Sequence, residues 1–405
     1  MNPQEKELNY PLGDRLPLSG ERYDLREDVA WLRMPLPFAL DHINLWLLRD
    51  RCEAREGWTL IDTGASTPAT RQCWLKLMEA PEGAGGLDGL PLLRMICTHM
   101  HPDHVGLAAM LAERFGCALW MTVGEYALCR ILAQPPSAEH QAQLLAHNRS
   151  LGLGSPPSQP LGARRDEHAF HHLVPALPRH FRRIRDGEAI RIGDRDWKVI
   201  TGCGHSPEHA SLYSEGSTHA SDPILISGDM VLPRISTNTA VWEIEPESNP
   251  VRWYLDSIRR LEGCAPLTLV LPSHGKPFVG LHRRIAQLCT HHAQRLDEVR
   301  QACATRACSA LDLVPILFRR PLDAHQLGFA LGEALGHLHA LWYDGELARQ
   351  FDADGVVRFR ARTPEAAVAP EAKCGFEATG GSNAPAASKA AGGFEATGGS
   401  SARLC

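Results

Sequence analysis

Residues 97–106 read CTHMHPDHVG, with three histidines and one aspartate crowded into positions 99–104. The apolar run LLRMIC, at 92–97, leads directly into them. A strand that ends in His99, His101, Asp103 and His104 puts four metal-ligating groups on one loop. A surface coincidence is the alternative, and the rest of the chain decides between the two. Ions such as zinc take imidazole and carboxylate donors converging at about 2.0–2.2 Å. One short loop cannot close such a shell, so partners must come from elsewhere. They are present, each at the end of an apolar run: His205 in TGCGHSPEH, Asp229 in ILISGDM and His274 in LVLPSHG. A further acid, Asp62, closes TLIDTG. Flanking glycines let the backbone approach closely.

Outward from these loops, short apolar runs alternate with helical stretches. INLWLLR (43–49), WTLIDT (58–63), LLRMICT (92–98) and CALWMT (117–122) read as strands, with helices over 67–80 and 104–116 between them. Gly116 is a helix stop. Strands resume at 188–193, 196–202, 210–214, 223–229 and 267–272. The alternation predicts a layered α/β fold. Residues 1–30 are expected to be an irregular lead-in, and 133–186 an insertion of short helices and loops. After 280 come a long helix (283–304), a short one capped by Ser309 (309–318), a third starting at Asp323 (323–345), and a hairpin turning at DADG (346–361). Three helices and a hairpin are the winged-helix pattern. The segment 363–405 is low in complexity, repeats GFEATGGS at 375–382 and 393–400, and is expected to be disordered.

The set THMHPDH (98–104), GHSPEH (204–209), SGD (227–229), SHG (273–275) and DTG (62–64) resembles the metallo-β-lactamase superfamily over about residues 30–280. The resemblance implies an αββα sandwich over 31–280, followed by a small winged-helix domain over 281–362. It also implies two divalent ions, with zinc the best match to the donors. His99, His101 and His205 would hold the first. Asp103, His104 and His274 would hold the second, Asp229 would bridge both, and Asp62 would orient a ligand or the bridging water from behind. Two cations sharing a water lower its pKa towards neutrality and yield a hydroxide for attack on a carbonyl or phosphoryl centre. Asp103 is the candidate for orienting that nucleophile or moving its proton. Redox di-iron relatives carry Glu where His101 stands, which favours hydrolysis here. The bridging Asp229 favours the thioesterase, lactonase and endoribonuclease branches over the β-lactamases themselves.

Charge and composition narrow the partners. The net charge of −5 gives no global basic field, and the third C-terminal helix carries no Lys or Arg, so DNA is disfavoured and RNA is the lesser alternative to a small, anionic substrate. The arginines of the insertion (164, 165, 179, 182, 183 and 185) suit an anion over the site. Lys276 and Arg234 are candidates to contact a substrate carboxylate or phosphate. Gly328, Gly332 and Gly336 lay a smooth stripe on the third helix, for tight packing inside the module or for docking a second copy or another domain. His209 reads as a structural hydrogen-bonding residue. His171, His172, His291, His292, His337 and His339 read as packing or surface groups. Twelve cysteines without a tight framework, no signal-type start and no long apolar span point to a cytoplasmic protein away from membranes. A non-catalytic metal-binding scaffold is the third functional class to weigh.

Overall fold

Two twisted sheets lie face to face in the computed structural model, which describes residues 4–154, 169–217 and 222–362. The first sheet takes its strands in chain order: β1 (Arg22–Arg26), β2 (Val29–Pro35), β3 (His42–Cys52), β4 (Arg55–Ile61), β5 (Leu92–Ile96), β6 (Ala118–Met121) and β7 (Phe181–Arg183). Between them run α1 (Pro68–Glu79), α2 (Pro102–Val105), α3 (Ala108–Phe115), α4 (Val123–Leu132), α5 (Ala138–Ser150) and α6 (Phe170–Leu173). The second sheet is ordered β13-β12-β11-β10-β9-β8, from β8 (Ala189–Ile192), β9 (Arg195–Gly202), β10 (His209–Ser214), β11 (Ile224–Gly228), β12 (Leu269–Pro272) and β13 (Phe278–Val279). Helix α7 (Pro250–Arg260) joins β11 to β12, which pair in parallel. The chain then adds α8 (Leu281–Thr305), α9 (Ala310–Leu317), α10 (Ala324–Tyr343) and the hairpin β14 (Leu347–Phe351) with β15 (Val357–Ala361).

The period-2 alternation of the strands builds the layers. On β2 and β3, Val29, Trp31, Trp46 and Leu48 meet Trp197, Val199, Leu212 and Ile226 between the sheets. Their sequence neighbours Leu32, Met34, Leu45 and Leu47 point the other way, onto Trp74 and Leu77 of α1 and Leu111 of α3. The outer face of the second sheet gives Leu225 and Val270 to a core with Tyr254 and Ile258 of α7 and Ile285 of α8. The result is four layers, helix–sheet–sheet–helix.

Local signals fix the helix ends. Thr67 caps α1 by accepting the Thr70 amide, with Pro68 in the first turn. Gly116 ends α3 in the left-handed region at φ 64°. Ser309 and Asp312 form a capping box on α9, and Asp323 caps α10.

Several expectations need correction. Residues 1–30 are not an irregular lead-in throughout: β1 and the start of β2 lie within them, and Tyr23 and Leu25 of RYDLR pack on the inter-sheet core. Leu8 is buried, and Asn9 bridges to Val279. The insertion is shorter than 133–186, because β7 belongs to the first sheet, parallel to β6. Its three residues gave too short a run to read. The C-terminal module is continuous with the sandwich, which forms one unit through Ala361. The first half of α8 is the reason: Leu281, Ile285 and Leu288 complete the sandwich core, and buried Arg284 donates to the carbonyls of Leu232 and Ile235. Segment 363–405, with both GFEATGGS copies, lies outside the described residues, as do Arg164 and Arg165. Among the described residues no helix is long and apolar enough to cross a membrane.

Candidate metal centre

The five loops singled out in the sequence converge on one edge of the sandwich. β5 ends at Ile96 and delivers the 98–104 loop, whose last residues open α2. The turn after β9 delivers His205. β11 ends on Gly228, at φ 53°, and delivers Asp229. A Cβ at Gly228 would stand 2.2 Å from His209 Nε2, so this turn admits only glycine. β12 delivers His274.

Two groups of donor atoms result. One comprises His99, His101, His205 and Asp229, the other Asp103, His104 and His274, and each can hold a metal ion. Donors on a tetrahedral ion at about 2.0–2.1 Å stand about 3.3–3.4 Å apart. Here His205 Nε2 is 3.2 Å from His99 Nε2 and 3.3 Å from Asp229 Oδ2. In the second group His274 Nε2 is 3.4 Å from Asp103 Oδ2 and 3.4 Å from Asp229 Oδ1. His104 Nε2 lies 3.6 Å from the same Asp229 oxygen. Asp229 therefore turns one carboxylate oxygen to each group.

The supporting bonds aim the lone pairs inward. His205 Nδ1 donates to the Asn238 carbonyl at 2.9 Å, and His274 Nδ1 donates to the His42 carbonyl at 2.8 Å. His104 Nδ1 donates to Asp62 Oδ2 at 2.8 Å. Each bond selects the tautomer that leaves Nε2 free. Asp62 also accepts from the Thr98 amide at 2.7 Å and from the Thr98 hydroxyl. It holds this place at φ 61°, unusual for a non-glycine residue. His104 Nε2 and Asp229 Oδ1 are buried with no hydrogen-bond partner. Buried polar atoms are normally satisfied, so this pair fits an ion between them.

The electrostatics agree. Burial, reinforced by neighbouring imidazoles, drives His99 well below its ordinary pKa and His101 down to about 3, leaving both neutral. In the second group burial is outweighed. Asp62, Asp103 and Asp229 raise His104 well above its usual value, and Asp229 with Asp103 lifts His274 to about 10. Burial would likewise raise Asp103, but His104 and His274 hold it at about 2. Carboxylates that draw protons onto adjacent imidazoles make a site for positive charge.

Other candidates fall elsewhere. His209 lies outside both groups, and its Nε2 accepts the Asp229 amide at 3.1 Å. The His171 and His172 rings meet at a tilt of 42° in α6, outside both groups. His292, His337 and His339 are buried in the C-terminal helices, with His292 and His337 paired at 3.2 Å. Lys276 is engaged by Asp14 at 2.7 Å and the Gly13 carbonyl, and Arg234 by Glu5 at 3.2 Å. Arg182 stacks on Trp120 and pairs with Glu188. The glycine stripe of α10 is used inside the chain: a Cβ at Gly332 or Gly336 would meet residues 239–241 at 2.7 or 2.5 Å. This docking surface is therefore taken by the chain's own loop.

Sequence reasoning missed the residues that hold the loops. Glu125 on α4 is buried, and it accepts from the Met100 amide (2.9 Å), the Ser206 hydroxyl (2.6 Å) and the Glu208 amide (2.7 Å). Thr237 donates to the Asp229 carbonyl, and Asn44 donates to the carbonyls of Pro272 and Gly275 at 2.8 Å each. Only Glu125 left a signal, as an acid in the first turn of an apolar helix.

Comparison with known proteins bears on the fold and the family. Residues 40–274 match the family model of the metallo-beta-lactamase superfamily, and residues 296–362 that of a metallo-beta-lactamase-like C-terminal domain. A beta-lactamase domain protein from Burkholderia ambifaria is 49% identical over 89% of this chain and 99% of its own, with a TM-score of 0.78. A metallo-beta-lactamase family protein from Thermus thermophilus is 26% identical over 84% of this chain and 100% of its own, with a TM-score of 0.67. No curated protein matches the sequence significantly. With the four-layer fold, the donor set and more than half its length matched by the family model, the chain belongs to the metallo-beta-lactamase superfamily.

Proposed function

We infer that the chain is a hydrolase of a small carbonyl substrate, a thioester, ester or lactone, working with two divalent ions, zinc by donor chemistry. The observation that carries this is Asp229, whose two oxygens face the two donor groups at 3.3 and 3.4 Å. Bound there, the ions would supply the Lewis acidity that makes water nucleophilic near neutral pH. The chain's own part is placement. Asn238, His42 and Asp62 fix three imidazole orientations. Asp103, the most open of the acids, is 19% exposed, which supports it as the group that accepts a proton or orients the attacking water.

The alternative, cleavage of RNA, gains little support: α10 carries no Lys or Arg, and Arg182 is already occupied. One experiment tests both. A metal-loaded preparation is given a panel of acyl thioesters, esters and lactones and a labelled single-stranded RNA, with Asp229→Ala as the blank. Turnover of a carbonyl substrate that vanishes in the blank, with metal content falling from two ions per chain to one or none, is expected. RNA cleavage alone would overturn the small-molecule reading, and two ions without turnover of anything would favour a scaffold.

A further inference from the structure

Arg33 stands apart from the other half-buried cations around the sandwich. By strand alternation it lies on the face of β2 that carries Val29 and Trp31 into the inter-sheet core. Its cross-strand neighbour is Asn44, and the next pair along, Pro35 with His42, closes the two strands. Asn44 and His42 both bond the 272–275 stretch that carries His274. Arg33 thus rises at the end of the sheet where the metal ligands gather.

No described residue accepts its hydrogen bonds. Asn44 Oδ1 takes the Trp31 indole at 2.9 Å, and its amide nitrogen points to the two carbonyls. His42 Nε2 takes the Gly275 amide at 2.9 Å. Asp41, whose charge acts on Arg33, is itself bonded to His42 Nδ1 at 2.6 Å and makes no hydrogen bond to the guanidinium. Among the described residues the Arg33 guanidinium has no hydrogen-bonding partner. Burial presses on its charge and lowers its pKa. A half-buried guanidinium with no protein acceptor takes its hydrogen bonds from water, which an incoming anion can displace. Lys276 and Arg234 differ, since each already has its acid.

The geometry points to Arg33 as the subsite for an oxyanion, a phosphate or carboxylate on the part of the substrate away from the scissile carbonyl. This deepens the small-carbonyl reading and rests on it for the place of the reacting bond. A planar guanidinium receives such a group through two parallel bonds.

The test is calorimetric binding to the metal-loaded protein, free of any need for turnover. The probes are S-methyl-coenzyme A (phosphates), S-methylglutathione (carboxylates) and uncharged S-methylpantetheine. The methyl groups remove the thiolate, the form of sulfur that would ligate metal strongly. Wild type should bind one anionic probe, and Arg33→Ala should weaken it by about tenfold or more, the loss expected for one charge-assisted contact. Arg33→Lys should lose less, and S-methylpantetheine should not distinguish the proteins. Which anionic probe responds identifies phosphate or carboxylate. Failure of wild type to bind either, or equal binding by Arg33→Ala, overturns the subsite. Loss of the probe effect with turnover intact sinks only this inference, while a clear probe effect without turnover of any carbonyl substrate sinks only the hydrolase.

Discussion

Glu125 shows how a residue remote from the ligand motifs can govern them. Its one carboxylate holds the 98–104 loop through Met100 and the 204–209 loop through Ser206 and Glu208. Glu125→Ala leaves two buried donors and one part-buried donor unpaired, each buried one costing about 1–3 kcal/mol. The expected outcome is a lower melting temperature and a loss of about 10–100-fold in affinity for the ion at His99, His101 and His205. Metal titration of the variant checks it, and unchanged affinity would show that the loops hold themselves. His209→Ala is the contrast. It removes the acceptor for the Asp229 amide but no ligand, so the protein should keep its full metal content by elemental analysis while losing about 1–3 kcal/mol of stability. The ligand histidines were legible in the sequence because their side chains crowd one loop or end apolar runs. Asn238 and His42 were not, because they act through backbone carbonyls that any residue supplies.

At the scale of elements, α10 is where the C-terminal module meets the metal loops. Gly332 and Gly336 press against residues 239–241, and the Val241 amide donates to the Gly332 carbonyl at 3.0 Å. A few residues upstream, Thr237 and Asn238 hold Asp229 and His205. Gly336→Ala would set a Cβ 2.5 Å from the Thr239 carbonyl, which must move. Overpacking of this kind costs about 1–3 kcal/mol, and weaker metal retention under dialysis should accompany it. Gly328→Ala meets nothing within 4 Å and should be neutral or gain about 0.5–1 kcal/mol of helix stability. The spacing of the glycines could be read in advance; their partner could not, because it is formed by a loop a hundred residues away. Glu333, on the same helix, gives a pH signature. Burial raises its carboxyl from 4.5 to about 7, and Asn238 is 3.5 Å away. The folded state therefore holds a proton that the unfolded state has released, and stability falls as pH rises from about 4.5 to about 7. Glu333→Gln should melt higher than wild type above pH 7 and the same at pH 4.5; an equal gap at both would refute the linkage.

For the whole molecule, strand alternation and strand-end motifs carried the two sheets, because each long strand buries one face against each core. The edge strands β1, β7 and β13 escaped, being short or half-exposed, and so did the sharing of α8 between sandwich and module. That sharing would make metal and module interdependent. The ions would tie His205 and Asp229 together; those residues tie Asn238 and Thr237; the 239–241 stretch seats α10; and α10 packs on α8 and α9 through Leu331, Leu335 and Leu338. Removing the ions leaves three acids and their histidines to repel or titrate one another, and the cost is passed along this chain of contacts. Chelation should therefore raise amide exchange in residues 237–241 and in the Gly332–Gly336 turn of α10, and restoring the ions should reverse it. Strands β2 and β3, buried between the second sheet and the α1 layer, should exchange as slowly with metal as without. Faster exchange confined to the 98–104 and 204–209 loops would mean that the module stands independently of the centre, and α10 would then be only a neighbour.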